Sequence, residues 1–373
     1  MKICMIGHKY VPSREGGVEV VVENLATRMV EYGNEVTLYN RKRKEYDKIS
    51  EYKGCKIQNI FTINKKSLDA IISSFVATLK VRKEAKKGKY DVVHFHAEGP
   101  CLFLNLLPKN KKRKYKVVVT IHGLDWQRGK WRGFASWIIK KGEKKAVKYA
   151  DEIIVLSKNV KKYFKDEYNR DTKFIPNGVS LPILYDPDII KNEYALEKNS
   201  YILFLARIVP EKGLDYLIDA WKLVKQQIDT DKKLVIAGGC SHSGDYFKSI
   251  VEKVNGDNSI IMTGFVEGKK LQELYSNSYL YVLPSDIEGM PMSLLEALSY
   301  GNICLVSDIP ENTEVINKEC YVFKHGDVDS LSQQLKKIIR LNLNTHKNMI
   351  VPYTWDNVVN QTLELYREKN NKN

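Results

Sequence analysis

A chain of 373 residues that is 43% hydrophobic and 28% charged is too long for one ordinary core and has the balance of a globular protein. Its longest mostly apolar stretch, LDAIISSFVATL, is about 12 residues, and a membrane-spanning helix needs roughly 20. The net charge of +15 is unevenly held: residues 1–180 carry 39 Lys and Arg against 19 Asp and Glu, net +20, and the remainder is −5. That asymmetry predicts two domains with different partners, the basic one meeting something anionic.

The first run, KICMIG, is a strand. It lacks the long apolar core and small-residue cleavage site of a signal peptide, so a cytosolic protein is expected. VEVVVENLATRMVEYG is helical and ends at Gly33. VTLYN is the next strand, and SLDAIISSFVATLKVRKEAKKG a helix closed by Gly88. DVVHFH, KVVVTIHG and DEIIVLS follow as strands, with a helix reaching about residue 149 before the last of them. The six cysteines, at 4, 55, 101, 240, 304 and 320, contain no C-x-x-C pair and read as reduced thiols.

At KFIPNGVSLP the rhythm breaks on Pro176, Asn177, Gly178 and Pro182. It restarts with YILFLAR, a helix from Gly213, KLVIAGG, a helix, SIIMTG, a helix, SYLYVLPS, the helix of residues 291–300, and ICLVSD. A last helix follows Pro352. Continuous apolar strands alternating with helices predict an α/β protein of two doubly wound domains with parallel sheets. The expected division is 1–180 and 181–352, with helix 353–369 completing the first domain. Ligands of such sheets bind beyond the carboxyl ends of the strands, here in the cleft expected where the domains face. Neither domain has a G-x-G-x-x-G after its first strand or a phosphate-cradling G-x-x-x-x-G-K-[ST], which argues against a nicotinamide dehydrogenase and a P-loop enzyme.

Four constellations lie at such strand ends. In DIEGMPMSLLEA, Glu288 precedes Gly289, Met290 and Pro291, and Glu296 lies inside the helix that Pro291 is expected to start. Two carboxylates astride a helix N-terminus could hold the sugars of a diphosphate seated there; the same spacing fits a capped helix with a solvated acid. In LFLARIVPEKG, Arg207 and Lys212 could neutralise a departing diphosphate, or form a surface pair. In SREGGVE, Gly16 and Gly17 would let backbone approach a ligand, or make a flexible turn. In VVVTIHGLDW, His122 could contact substrate and titrates near neutrality; Asp125 follows it. His94 and His96 share a strand face and with His122 could make a metal site, but no carboxylate spacing supports one.

In this order the segments resemble the retaining glycosyltransferases of family 4, with the two-domain GT-B fold. The resemblance rests on the Gly16-Gly17 loop, DVVHFHAEGP, IHGLD, IPNGV, ARIVPEKG and the E-x7-E of EGMPMSLLEA, and covers nearly the whole chain. It implies a nucleotide-diphosphate sugar as donor substrate, no metal or other cofactor, and transfer with retention in which the leaving phosphate takes the acceptor's proton. It implies that Glu288 holds hydroxyls of the transferred sugar and Glu296 the ribose, with Gly289, Met290 and Pro291 between them. Arg207 and Lys212 would bind the diphosphate, Gly16 and Gly17 the phosphates or sugar, and His122 the sugar near the reacting carbon. His96 and Asp125 fall on the acceptor side. The helix bearing Trp355 resembles the one that crosses back onto the first domain. Ala206 departs from the family, where Gly is common.

The basic half points to the acceptor. In GKWRGFASWIIKKGEKKAVKYA, Trp131, Phe134, Ala135, Ile138, Ile139, Gly142, Ala146 and Tyr149 recur at helical spacing, and Lys140, Lys141, Lys144, Lys145 and Lys148 fall mostly opposite. That pattern predicts a helix on an anionic membrane surface; it also fits a helix with its apolar side in the core. The expected acceptor is a polyprenyl-linked or other glycan, and the setting cell-surface polysaccharide assembly at the inner face of a bacterial plasma membrane. Hexosyl and deoxyhexosyl donors, rhamnose among them, stay open. Nucleic acid is not expected, since no recognised binding motif accompanies the lysines. A nucleotide-sugar epimerase of the same fold and a non-enzymatic basic binding protein are the alternatives.

Overall fold

The computed structural model describes residues 1–14, 16–43, 48–63, 66–109, 112–127, 133–240, 244–341, 351 and 353–368. The chain divides into two units, Met1–Gly178 with Trp355–Asn373, and Val179–Thr354.

In unit 1 the order is β1 (Lys2–Ile6), α1 (Gly17–Glu31), β2 (Glu35–Arg41), β3 (Glu51–Tyr52), β4 (Cys55–Ile60), α2 (Lys66–Lys86) and β5 (Val92–His96). A 3-10 segment, Gly99–Leu106, leads to β6 (Lys116–Ile121) and a 3-10 turn, Asp125–Gln127. Then come α3 (Phe134–Tyr149), β7 (Glu152–Val155), α4 (Lys158–Tyr168) and β8 (Lys173–Phe174). The sheet order is β3-β4-β2-β1-β5-β6-β7-β8. It is parallel except at one edge, where β3 pairs antiparallel with β4. That hairpin departs from the wholly parallel sheet expected. Its turn, Lys53-Gly54, has φ 46 and +76, the left-handed pair that a two-residue hairpin needs.

Unit 2 contains α5 (Ile189–Tyr194), β9 (Tyr201–Leu205), a 3-10 turn at Pro210–Lys212, α6 (Leu214–Gln227), β10 (Lys233–Ala237), α7 (Gly244–Val254) and β11 (Ile260–Gly264). It continues with α8 (Gly268–Asn277), β12 (Leu280–Leu283), α9 (Met292–Ser299), β13 (Cys304–Ser307), α10 (Pro310–Thr313), β14 (Tyr321–Phe323) and α11 (Val328–Leu341). The sheet is parallel, in the order β11-β10-β9-β12-β13-β14. Residue alternation covers both its faces: Ile202 and Phe204 of β9 pack into one buried cluster, and Tyr201 and Leu203 into the other.

The C-terminal helix α12 (Trp355–Arg367) belongs to unit 1. Tyr366 reaches His94 of β5 at 2.6 Å, and Lys116 of β6 caps the helix end through the Leu365 and Glu368 carbonyls. Lys369 and Pro352 of the expected tail lie outside the described residues.

Candidate active site

Each sheet reverses its winding once. In unit 2 the reversal falls between β9 and β12, which are neighbours although 79 positions separate their first residues, Tyr201 and Leu280. The helices that follow these strands pack on opposite faces of the sheet, and the carboxyl ends at such a reversal are where ligands of doubly wound sheets bind. The β9 loop carries Arg207 and Lys212, and the β12 loop carries Glu288.

Gly213 brings the two loops together. Its φ of +62 is left-handed, and a Cβ there would stand 2.1 Å from the Pro284 carbonyl oxygen. Only glycine satisfies both conditions. The Asp286 amide then donates to the Glu211 carbonyl at 3.0 Å, and the Lys212 ammonium pairs with Glu288 Oε1. Ser285 Oγ donates to the same oxygen at 2.7 Å. The pair is well shielded, with the Lys212 and Glu288 side chains 14% and 7% exposed. Ser307 Oγ, at the end of β13, donates to the Ser285 carbonyl at 2.5 Å, so three strand ends hold one carboxylate.

The helix after this loop starts one residue later than expected. Pro291 is the N-cap, at φ −76 and ψ 92, and Met292 is the first helical residue. Proline's missing N–H costs nothing at either position. Glu296 sits about 6 Å along the axis from that start. It is half-buried rather than solvated: the Tyr275 hydroxyl donates to its Oε2 at 3.1 Å, shared with the Ser293 carbonyl at 3.1 Å. Burial pushes the Tyr275 phenol well above its ordinary value, which keeps it a donor. Met290 is buried and Gly289 lies beside it in the turn. Arg207 is half-buried, with no ion pair or hydrogen bond among the described residues. A backbone contact fixes its loop: Gly238, after β10, is so close to Ala206 that a Cβ would lie 1.8 Å from the Ala206 carbonyl.

In unit 1 the winding reverses between β1 and β5. Gly16 caps α1 in extended backbone, and its lack of a Cβ makes room for the Glu19 carboxylate, which would be 2.2 Å away. Gly17 faces open space. Glu15 of the same motif lies outside the described residues. His94 and His96 do share a face, with ring centroids 4.1 Å apart. His94 is occupied at both nitrogens, by Tyr366 and by Thr120 at 2.7 Å, which removes it as a metal ligand. His96 is fully buried, and its Nδ1 meets His122 Nε2 at 3.1 Å. Burial pushes His94 down to about 3 and His96 well below its ordinary range, and both rings are neutral at physiological pH.

Glu98 and Glu143, absent from the sequence reading, organise the loop after His122. Glu98 Oε1 accepts the Asp125 amide at 3.1 Å, and burial followed by the Asp125 charge pushes the Glu98 carboxyl well up. Glu143 accepts from Trp126 Nε1 at 3.1 Å and the Tyr163 hydroxyl at 2.8 Å, and from Tyr168. It pairs with Lys140 at 3.0 Å. The E of HAEGP and the single acid among the lysines of α3 were the available signals.

That network corrects the reading of α3. Ile139, Gly142 and Ala146 are buried, and a Cβ on Gly142 would stand 2.1 Å from the Glu98 carbonyl. The apolar side expected on a membrane is core. Trp131 lies outside the described residues. Trp137 of α3 is exposed, 51% accessible, with the Lys141 ammonium 3.5 Å from its ring centroid.

Two doubly wound units of this kind are the GT-B architecture. Sucrose-phosphate synthase from Thermosynechococcus elongatus matches with a TM-score of 0.80 at 19% identity, over 98% of both chains. HepE of Anabaena, solved with UDP and glucose, matches with a TM-score of 0.78 at 16% identity, over 98% of this chain and 99% of that one. Residues 15–181 match the family model Glycosyltransferase Family 4, and residues 186–351 match Glycosyl transferases group 1. The chain belongs to these glycosyltransferases. A glycosyltransferase of Methanocaldococcus jannaschii is 26% identical over 98% of both chains. The Escherichia coli UDP-Gal:alpha-D-GlcNAc-diphosphoundecaprenol alpha-1,3-galactosyltransferase is 26% identical over 79% of this chain and 78% of that one.

Proposed function

We infer that the protein transfers a hexosyl or deoxyhexosyl unit, with retention and without a metal, from a nucleotide-diphosphate sugar to a lipid-linked glycan of a cell-surface polysaccharide. The observation that carries this is the meeting of Lys212 with Glu288, at the strand ends where unit 2 reverses its winding and in the loop that also carries Arg207. Two cations there neutralise a diphosphate. The first-turn N–H groups of α9 add donors and a partial positive charge. Glu296, oriented by Tyr275, accepts from ribose hydroxyls, and Glu288 from hydroxyls of the transferred sugar. Gly289, Met290 and Pro291 shape the turn between them. In unit 1, Gly16 and Gly17 contact phosphate or sugar, and His122 the sugar near its reacting carbon. Asp125 lies on the acceptor side.

In the reaction the bond from the anomeric carbon to the diphosphate oxygen breaks. The acceptor hydroxyl oxygen bonds that carbon on the same face, and its proton passes to the departing diphosphate. Arg207 and Lys212 stabilise the charge that develops on the leaving group, the term that dominates phosphate departure. The relatives that act on diphosphoundecaprenol and on O-antigen chains support a lipid-linked acceptor, and the basic first unit supports a working position on the inner, anionic face of a membrane.

The test is a thermal-shift panel of nucleoside diphosphate sugars. A donor at about 100 times its dissociation constant adds roughly 2.7 kcal/mol, on the order of 5–10 °C. Glu296→Ala should abolish the shift. If no nucleotide sugar raises the melting temperature, the donor assignment fails. With the responding donor, NMR of the product reads the anomeric configuration. An epimerase would convert the donor with no acceptor present.

A further inference from the structure

The geometry points to the outward face of α2 as a docking surface for an anionic lipid bilayer. This deepens the lipid-linked-acceptor reading and rests on it for its purpose, not for its geometry.

Helix α2 is built inside out. Its inner face is Ser73, Ser74, Ala77, Thr78, Val81 and Ala85, all buried. The hydroxyls there are satisfied within the helix, Ser73 on the Asp69 carbonyl at 2.7 Å and Thr78 on the Ser74 carbonyl at 2.7 Å. The large apolar side chains point the other way: Leu68, Phe75 and Leu79, at spacings of seven and four, lie on one face and are 40–46% exposed. A surface helix ordinarily does the reverse. Phe61 and Ile63, just before the helix, are exposed too. Phe75 packs edge-on to Phe103 of the 3-10 segment, with centroids 5.2 Å apart.

Charge selects the occupant. The same face ends in Arg82, Lys83 and Lys86, none of which has an ion pair among the described residues. The one acid of that turn, Glu84, is engaged by the Tyr39 and Tyr90 hydroxyls at 2.7 Å and by Lys89 at 3.1 Å. From Leu68 to Lys86 the row runs about 27 Å, apolar for the first three turns and cationic for the last. Apolar side chains that enter the acyl boundary, beside cations at headgroup level, suit an anionic bilayer. A second copy of a unit whose residues 1–180 carry net +20 is repelled. Among the described residues no helix is long and apolar enough to cross a membrane, so attachment of this kind is peripheral.

The experiment is co-sedimentation of the full chain with vesicles of phosphatidylcholine alone and of phosphatidylcholine with phosphatidylglycerol. Binding is expected to the mixed vesicles only, weakened by salt. Lys83→Gln with Lys86→Gln should weaken it about 30-fold, roughly fivefold per lysine. Phe75→Ser with Leu79→Ser should weaken it about tenfold or more. Equal binding to neutral vesicles, binding unchanged in either variant, or no binding overturns the proposal. So does a dimer in sedimentation velocity that Phe75→Ser with Leu79→Ser dissolves in place of vesicle binding. The nucleotide thermal shift is read on the same samples. Its retention shows the variants folded; lost vesicle binding with a normal wild-type shift sinks the docking face alone, and an absent shift sinks the donor reading alone.

Discussion

Removing Lys212 tests the site through stability and activity together. The ammonium pairs with a Glu288 carboxylate that has 7% of its side chain exposed and one other donor, Ser285 Oγ at 2.7 Å. Taking one partner from a buried pair costs about 3–5 kcal/mol, because the remaining charge is stranded. The 14% exposure of Lys212 leaves water some access, so we expect about 2–3 kcal/mol for Lys212→Ala. For a unit the size of Val179–Thr354 that lowers the melting temperature by roughly 4–12 °C. Glu288→Gln should cost less, since an amide still accepts from Ser285. The double variant should recover about 1–2 kcal/mol of the summed losses, the signature of direct coupling. Calorimetry of the four proteins supplies the cycle. With a responding donor, Lys212→Ala should also lower kcat about 10²–10³-fold, the scale for losing one charge-stabilising group. A Lys212→Ala protein that melts within about 1 °C of wild type, or a strictly additive double variant, would refute the reasoning.

Three further outcomes are expected. Gly213→Ala forces a Cβ to 2.1 Å from the Pro284 carbonyl at φ +62, and urea titration should report a loss of at least about 2 kcal/mol. His94 and His96 are held below their ordinary value of 6.5 by burial, His94 at about 3. Their depressed values favour the folded state above pH 6.5, and that contribution is lost as pH falls toward 3. Acid unfolding of His96→Asn should therefore be less steep by about one proton; an unchanged slope would contradict the buried neutral ring. Glu98 is the opposite case: its raised value means that stability is full below the ordinary carboxyl range and declines as pH rises above 4.5. Glu98→Gln should flatten that decline in a melting-temperature profile while keeping the Asp125 amide contact. A decline equally deep in the variant would assign it to other groups.

Much of unit 2 was readable because each strand is a continuous apolar run with a helix after it. The hairpin of β3 and β4 was not read, since two and six residues carry little periodicity and only Lys53-Gly54 marks the turn. Neither were β14 and α11: three residues are too few for a pattern, and α11 shows its start mainly through Asp327, whose side chain accepts the Ser330 amide at 2.9 Å. Glu288, Arg207 and Lys212 were legible as charged residues after strands. Their meeting was not, because 76 positions separate Lys212 from Glu288 and the adjacency of β9 and β12 joins them.

By itself the sequence determined the alternation of elements, the break near Pro176–Pro182, the basic character of the first 180 residues and the motifs at the strand ends, since each is a local pattern of polarity and backbone preference. The tertiary structure alone decided which side of each helix became surface. The apolar row of α3 turned inward because the Gly99–Leu106 segment and Glu98 lie against Gly142. The apolar row of α2 stayed outward because small and hydroxylated residues face the sheet. Periodicity defines two sides of a helix; the neighbouring elements choose which one they cover.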